Sequence, residues 1–159
     1  MSTQVSRVNL FGKEQEVSTS DDYYTPPWIF ETMGLRFDLD VSAPPGGVEW
    51  IPARRFLTMK DDGLNTPWEG RVWMNPPYSN PTPWVRKFLE HGRGVALLPT
   101  TRGRWWYSLW NDPRTIMVPT PYNMKFHRGS ESKSIVFNTS LWAIGEEEQA
   151  AILKIGRGR

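Results

Sequence analysis

Asn75-Pro76-Pro77-Tyr78 constrains this chain more than any other stretch. Two consecutive prolines carry no backbone N–H and cannot continue a strand ladder. Upstream, Gly70-Arg71-Val72-Trp73-Met74 is apolar and β-favouring and reads as a strand. The tetrapeptide is therefore a stiff turn at the carboxyl end of a strand, where open α/β sheets bind ligands. Asn75 offers a side-chain carbonyl as an acceptor. The Pro76 carbonyl is a second acceptor, held by the fixed φ angles of Pro76 and Pro77. Tyr78 offers a flat ring for stacking. As a bare turn, the same four residues would only cap a core.

The residues beyond the turn set the fold class. Trp84-Val85-Arg86-Lys87-Phe88-Leu89-Glu90 has apolar residues at helical spacing, and Gly92 suits its stop. Gly94-Val95-Ala96-Leu97-Leu98-Pro99 is a continuous apolar run, typical of a central parallel strand. Strand, helix and strand make a βαβ unit, so the residues after Leu98 share an edge with those after Met74. They read Pro99-Thr100-Thr101-Arg102-Gly103-Arg104-Trp105-Trp106 and suit phosphate contact and base stacking. Trp106 and Trp110, four apart, are expected in the core, with Arg102 and Arg104 facing outward. Packing of Trp105, Trp106 and Trp110 onto the sheet is the plainer alternative.

Upstream, Thr25 suits a helix N-cap, Pro26 the first turn and Gly34 the stop, which predicts a helix over Pro26–Met33. A free helix N-terminus there is a natural carboxylate site. Phe37-Asp38-Leu39-Asp40-Val41 alternates as a strand does and runs into Ser42-Ala43-Pro44-Pro45-Gly46-Gly47, a small-residue loop. Strand, Asp and small-residue loop together form a nucleotide-cofactor cradle. Asp40 is the main candidate there and Asp38 the reserve. Between this strand and the catalytic one there is room for only one short strand, near Arg55–Thr58, and a turn at Asp61-Asp62-Gly63-Leu64. Those acids form the turn, or one of them meets the cofactor's ribose or adenine.

Downstream, Thr115–Pro119 reads as a strand, Lys125–Lys133 as a basic, flexible loop and Ser134–Ile144 as one final strand with a bulge near Asn138. Residues 1–20 read as an arm with a lead-in strand around Val8–Phe11, 21–145 as one domain, and 146–159 as a frayed helix and basic tail. No apolar run is long enough to span a membrane. Met1–Arg7 has no signal-peptide architecture, and there is no cysteine, so a cytoplasmic setting is expected. His91 and His127 are distant from each other, and no metal site is argued. The sign of charge is uneven. Residues 1–79 hold seven basic against eleven acidic residues, and 80–159 twelve against six. The basic half is a candidate phosphate-facing surface.

Asn75-Pro76-Pro77-Tyr78 resembles the catalytic motif of S-adenosylmethionine-dependent amino-methyltransferases. Around it, Tyr-Tyr-Thr-Pro-Pro-Trp, Phe-Asp-Leu-Asp-Val-Ser-Ala-Pro-Pro, Asp-Gly-Leu, Trp-Glu-Gly-Arg-Val-Trp-Met-Asn-Pro-Pro-Tyr-Ser and Ala-Leu-Leu-Pro stand in one compact order. Together, from about Asp22 to Gly145, they resemble the bacteriophage-type DNA N6-adenine methyltransferase (Dam) family. The resemblance implies a compact α/β Rossmann-like sheet, mostly parallel, closed by a C-terminal antiparallel hairpin and abbreviated before the catalytic strand. It implies S-adenosylmethionine held by Tyr24, Thr25, Pro26, Asp40, Ser42, Ala43 and Asp62. Asn75, Pro76, Pro77 and Tyr78 would be catalytic on a flipped adenine. Arg102, Arg104, Trp105, Lys125 and Arg128 would contact double-stranded DNA and read a short recognition sequence. The expected state is a monomer without an obligate protein partner. Pro44 and Pro45 stand where that family's cofactor motif has glycines. RNA-adenine and protein-glutamine methylation, or a non-catalytic DNA-binding module with a decayed cofactor site, are the alternatives.

Overall fold

The computed structural model describes residues 5–8, 14–17, 24–101, 103–128, 131–136 and 138–159. Two short antiparallel strands come first, β1 (Val5–Val8) and β2 (Glu14–Val17), in a sheet of their own. Most of the lead-in strand expected around Val8–Phe11, and the expected boundary at residue 20, lie outside the described residues.

The main sheet has six strands: β3 (Phe37–Asp40), β4 (Ala53–Phe56), β5 (Val72–Met74), β6 (Gly94–Pro99), β7 (Thr115–Pro119) and, last in sequence, β10 (Thr139–Ile144). Their order across the sheet is β4-β3-β5-β6-β10-β7. β4, β3, β5 and β6 run parallel, and β10 is antiparallel to both β6 and β7. This is the mostly parallel, Rossmann-like sheet expected from the sequence, with a single short strand between β3 and β5.

Period-two alternation divides the core between two faces. Val72, Met74, Ala96 and Leu98 point to one side, where α2 (Thr82–His91) and α3 (Arg104–Trp110) bring Val85, Phe88, Trp105 and Leu109. Trp73, Val95 and Leu97 point to the other, which α1 (Pro27–Met33) and α4 (Glu146–Ile152) cover with Ile29, Phe30, Met33, Ala151 and Ile152. Phe30 meets the Trp73 ring edge-on at 4.7 Å. Removing such side chains from water contributes about 1.5–3 kcal/mol each, and β5 and β6 are apolar because both their faces are covered.

Four expectations are corrected. The basic stretch 125–133 is not simply a loop: β8 (Lys125–Arg128) and β9 (Glu131–Val136) form a separate antiparallel pair with an irregular register at His127/Arg128. Ser134–Ile144 is not one strand. Its first part pairs with β8 and its second, as β10, slots between β6 and β7. The predicted bulge near Asn138 is where the chain changes sheets. The antiparallel closure is therefore formed by β7 and β10, with β8 and β9 between them in sequence. The helix expected in 146–159 is present as α4 (Glu146–Ile152), but the segment is not frayed. Arg159 exchanges backbone hydrogen bonds with Met117, at 2.8 and 3.0 Å, and its guanidinium lies over the Trp110 ring.

α4 is further fixed by an ion cluster. Glu148, 3% exposed, accepts from Arg71 Nε at 2.7 Å and Arg93 Nε at 3.1 Å, while Arg71 Nη2 donates to Glu147 at 2.6 Å. Burial opposes ionisation of Glu148, but hydrogen bonds, first among them that from Arg71, outweigh it and hold its carboxyl below the ordinary range.

Candidate active site

Asn75-Pro76-Pro77-Tyr78 leaves β5 at the carboxyl edge of the sheet, as the prolines require. Asn75 and Tyr78 are half-buried and Pro76 is buried. The turn closes through the Pro77 carbonyl, which accepts from Asn80 N–H at 3.4 Å; among the described residues no backbone N–H takes the Pro76 carbonyl. Tyr78 Oη donates to the Leu97 carbonyl on β6 at 3.2 Å. This bond sets the ring against the neighbouring strand. Asn75 Nδ2 donates to Thr25 Oγ1 at 3.3 Å, which turns the amide carbonyl away from Thr25.

That contact corrects the reading of Thr25 as a helix cap. The cap position is Pro26, with no side-chain cap hydrogen bond, and α1 begins at Pro27. Thr25 is 1% exposed and serves Asn75 instead. Its own backbone is held from two sides. Trp50 Nε1 donates to the Thr25 carbonyl at 2.8 Å, and Tyr24 exchanges two backbone hydrogen bonds with His127 of β8, at 2.6 and 2.9 Å. The Trp50 ring lies against those of Tyr24 and His127. Trp50 carries no local signal of this role; only the folded chain brings it to Thr25.

On the adjacent strand, Asp40 is paired in register with Trp73, and Val41 N–H donates to the Trp73 carbonyl at 3.1 Å. The ends of β3 and β5 therefore open side by side. Asp40 is 3% exposed, and Ser42 N–H donates to its Oδ1 at 3.3 Å. Burial pushes its carboxyl up from 3.8 to about 7, opposed by the Ser42 bond. The folded chain thus binds this proton more tightly than the unfolded chain does. The stabilisation is full below pH 3.8 and is lost as pH rises through about 7. Stability measured by urea titration should fall between pH 5 and 7.5, by an amount on the order of 3 kcal/mol. Asp40→Asn should remove that slope; an unchanged slope would mean that Asp40 is ionised in the folded protein.

The loop after β3 is shaped for close approach by different residues from those expected. Pro44 and Pro45 stand where glycines were sought, but Gly46 and Gly47 take left-handed φ of 80° and 73°, and Gly47 N–H closes onto the Pro44 carbonyl. Ala43 is buried and bonded through its N–H to the Leu57 carbonyl. The turn beyond β4 returns to the same place. A Cβ on Gly63 would sit 2.3 Å from the Val41 carbonyl, so only glycine lets this turn lie over the end of β3. Lys87 of α2 holds it there, donating to the carbonyls of Gly63, Leu64 and Thr66 at 3.3, 2.8 and 2.6 Å, with its ammonium over the Trp68 ring.

Within that turn the two acids differ. Asp61 completes a capping box with Thr58, whose N–H and then Oγ1 hold its carboxyl below the ordinary range. Asp62 is exposed, at a left-handed φ of 54°, with Oδ2 accepting from Asn65. Both acids are exposed, and in each it is Oδ2 that is engaged. Asp38, the reserve, points elsewhere: its Oδ2 takes Arg71 N–H at 2.8 Å, at the start of β5.

Of the candidate DNA contacts, Arg104 and Lys125 are exposed. Trp105 is corrected. It is 9% exposed and packs with Leu109 in the core, so its ring is not free for a base. Trp106 and Trp110 stack on one another at 5.1 Å and are only partly buried, both edge-on to Trp142. Arg102 and the Arg128 side chain lie outside the described residues.

The sequence model of a family described as DNA N-6-adenine-methyltransferase (Dam) matches residues 12–140 of the chain. A protein of Haemophilus phage HP1 (strain HP1c1), described as DNA N-6-adenine-methyltransferase, is 34% identical over 95 residues, which cover 54% of this chain and 53% of that protein. The chain spans about half the length of that relative.

Proposed function

The chain belongs to the DNA N-6-adenine-methyltransferase (Dam) family, and on that premise we propose that it transfers a methyl group to the N6 amino group of adenine in DNA, with S-adenosylmethionine as donor. The observation that carries this reading is the pinned Asn75 amide, half-buried on an edge shared with Tyr78 and Asp40. Asn75 Oδ1 and the Pro76 carbonyl accept the two hydrogens of the amine, which keeps its nitrogen lone pair directed at the methyl donor. Tyr78 stacks on the purine. The adenine reaches this corner by leaving its duplex, at a cost of a few kcal/mol. Proximity and alignment carry most of the rate.

The donor supplies an electrophilic methyl group on a sulfonium. The residues present fit it. Asp40 is a buried carboxyl with a single long backbone donor, and it suits a ligand that brings hydroxyl or ammonium donors. Ser42 and Ala43 begin the loop beside it, Tyr24-Thr25-Pro26 close the near side, and Asp62 faces outward on the turn lying over β3. Exposed Arg104 and Lys125, with Arg102 and Arg128, supply positive charge for the DNA backbone.

The test is tritiated methyl transfer to unmethylated plasmid DNA, RNA and a glutamine-containing peptide in parallel. Label is expected in DNA, at adenine N6 after digestion to nucleosides. Label in RNA or peptide alone would replace the substrate. No label in any of the three, with no thermal shift on adding S-adenosylmethionine, would refute the activity.

A further inference from the structure

Tyr122 belongs to neither core. It is 85% exposed, more than any other large apolar side chain among the described residues. It does not sit on a loose segment. Met124 N–H closes the turn onto the Pro121 carbonyl at 2.9 Å. Before the turn, Thr120 Oγ1 donates to the Thr139 carbonyl at 3.0 Å. After it, Met124 and Phe126 are 2% and 1% exposed. The chain anchors both sides of the turn and leaves the one ring outside.

The place of the ring is informative. The turn follows β7, whose carboxyl end lies level with that of β6 across β10: Thr139 pairs with Pro99, and Ser140 with Pro119. Tyr122 therefore stands on the same edge as Asn75 and Tyr78. Three strand spacings separate β5 from β7, about 14 Å. Exposed Arg104 opens α3, just past the carboxyl end of β6, and exposed Lys125 is three residues past Tyr122. A duplex laid on those cations with one adenine turned into the Asn75 corner has its vacated stack beside the corner, not inside it. A solvent-facing ring on a rigid mount is what such a gap accepts, because little order is lost when it stacks.

We propose that Tyr122 is a DNA-stacking wedge that occupies the gap left by the flipped adenine. The proposal rests on the DNA-adenine reading above. The stacked ring offsets part of the cost of opening the duplex, and single-stranded DNA has no gap to fill.

The test compares wild type, Tyr122→Ala and Tyr122→Phe on one plasmid DNA, native and heat-denatured. Fluorescence anisotropy with labelled fragments reads binding, and tritiated methyl transfer reads activity. Tyr122→Ala should bind native duplex at least tenfold more weakly and single strands within threefold of wild type. Methyl transfer to duplex should fall in step, and Tyr122→Phe should stay near wild type. Unchanged duplex binding by Tyr122→Ala, or an equal loss on both forms, overturns the wedge. If wild type binds duplex but transfers no methyl group, the activity reading fails while the binding comparison still decides the wedge. No duplex binding by wild type overturns both.

Discussion

Asn75→Ala is expected to lower methyl transfer to DNA by about a hundredfold or more, with the affinity for S-adenosylmethionine within about threefold of wild type. The amide touches the amine, not the donor, in the proposed arrangement, so the loss belongs in kcat. The companion variant is Thr25→Val. Thr25 Oγ1 is the partner of Asn75 Nδ2 at 3.3 Å, and Thr25 is 1% exposed. Removing the hydroxyl while keeping the shape lets the amide rotate and present N–H where the carbonyl is needed. A loss of about tenfold is expected, and Thr25→Ser, which keeps the oxygen, should restore most of it. The double variant should be no worse than Asn75→Ala alone, because in the proposed arrangement the Thr25 hydroxyl serves Asn75, while the 24–26 segment closes the donor side by its backbone. Additive losses would give Thr25 a separate role, such as holding the methionine end of the donor. Loss of donor affinity in Asn75→Ala would move Asn75 itself to the cofactor side.

The contrast between Asn75 and Thr25 shows what could be read from the chain. The corner at Asn75–Tyr78 was legible because its cause is local: two prolines end a strand whatever surrounds them. β6 was legible because a strand covered on both faces must be apolar throughout. Thr25 before Pro26 carried a local signal too, that of a helix cap, yet its hydroxyl answers a residue fifty positions away. Local chemistry could not choose between the two partners. The reading of Trp105 as a base-stacking ring failed for a related reason, while Trp106 and Trp110 do pack, partly buried, against the core. Trp105 with Leu109 and Trp106 with Trp110 both have four-residue spacing, and the rotation of the helix against the sheet decides which pair is buried. The passage from β9 to β10 had no Gly or Pro to mark it, so one strand was read where the chain changes sheets.

The acidic run Glu146-Glu147-Glu148 forms the first turn of α4, and its members differ: the Glu147 side chain is 75% exposed. Glu148 is the opposite case, held by Arg71 from the start of β5 and Arg93 from just before β6. Glu148→Gln is expected to destabilise the fold by about 3 kcal/mol, because it leaves the Arg71 guanidinium, 11% exposed, with a buried charge that Glu147 only partly answers. For a chain of this size that is a fall in Tm of roughly 6–12 °C. Glu147→Gln should cost less than about 1 kcal/mol, as exposed pairs do. Acid should reproduce the larger effect. A carboxyl held below its ordinary pKa stabilises the fold above its unfolded pKa, and that share is lost as pH falls through the folded value. The wild type should therefore lose stability on acidification below about pH 4.5 more steeply than Glu148→Gln. Asp40 contributes with the opposite sign between its ordinary pKa of 3.8 and about 7, and Asp61 and Asp112, also held below the ordinary range, share the sign of Glu148, so the Glu148 share is the difference in slope between Asp40→Asn and the Asp40→Asn/Glu148→Gln double variant. Equal Tm values for Glu147→Gln and Glu148→Gln would mean that the cluster is solvated, and that α4 is held by Ala151 and Ile152 rather than by its charges.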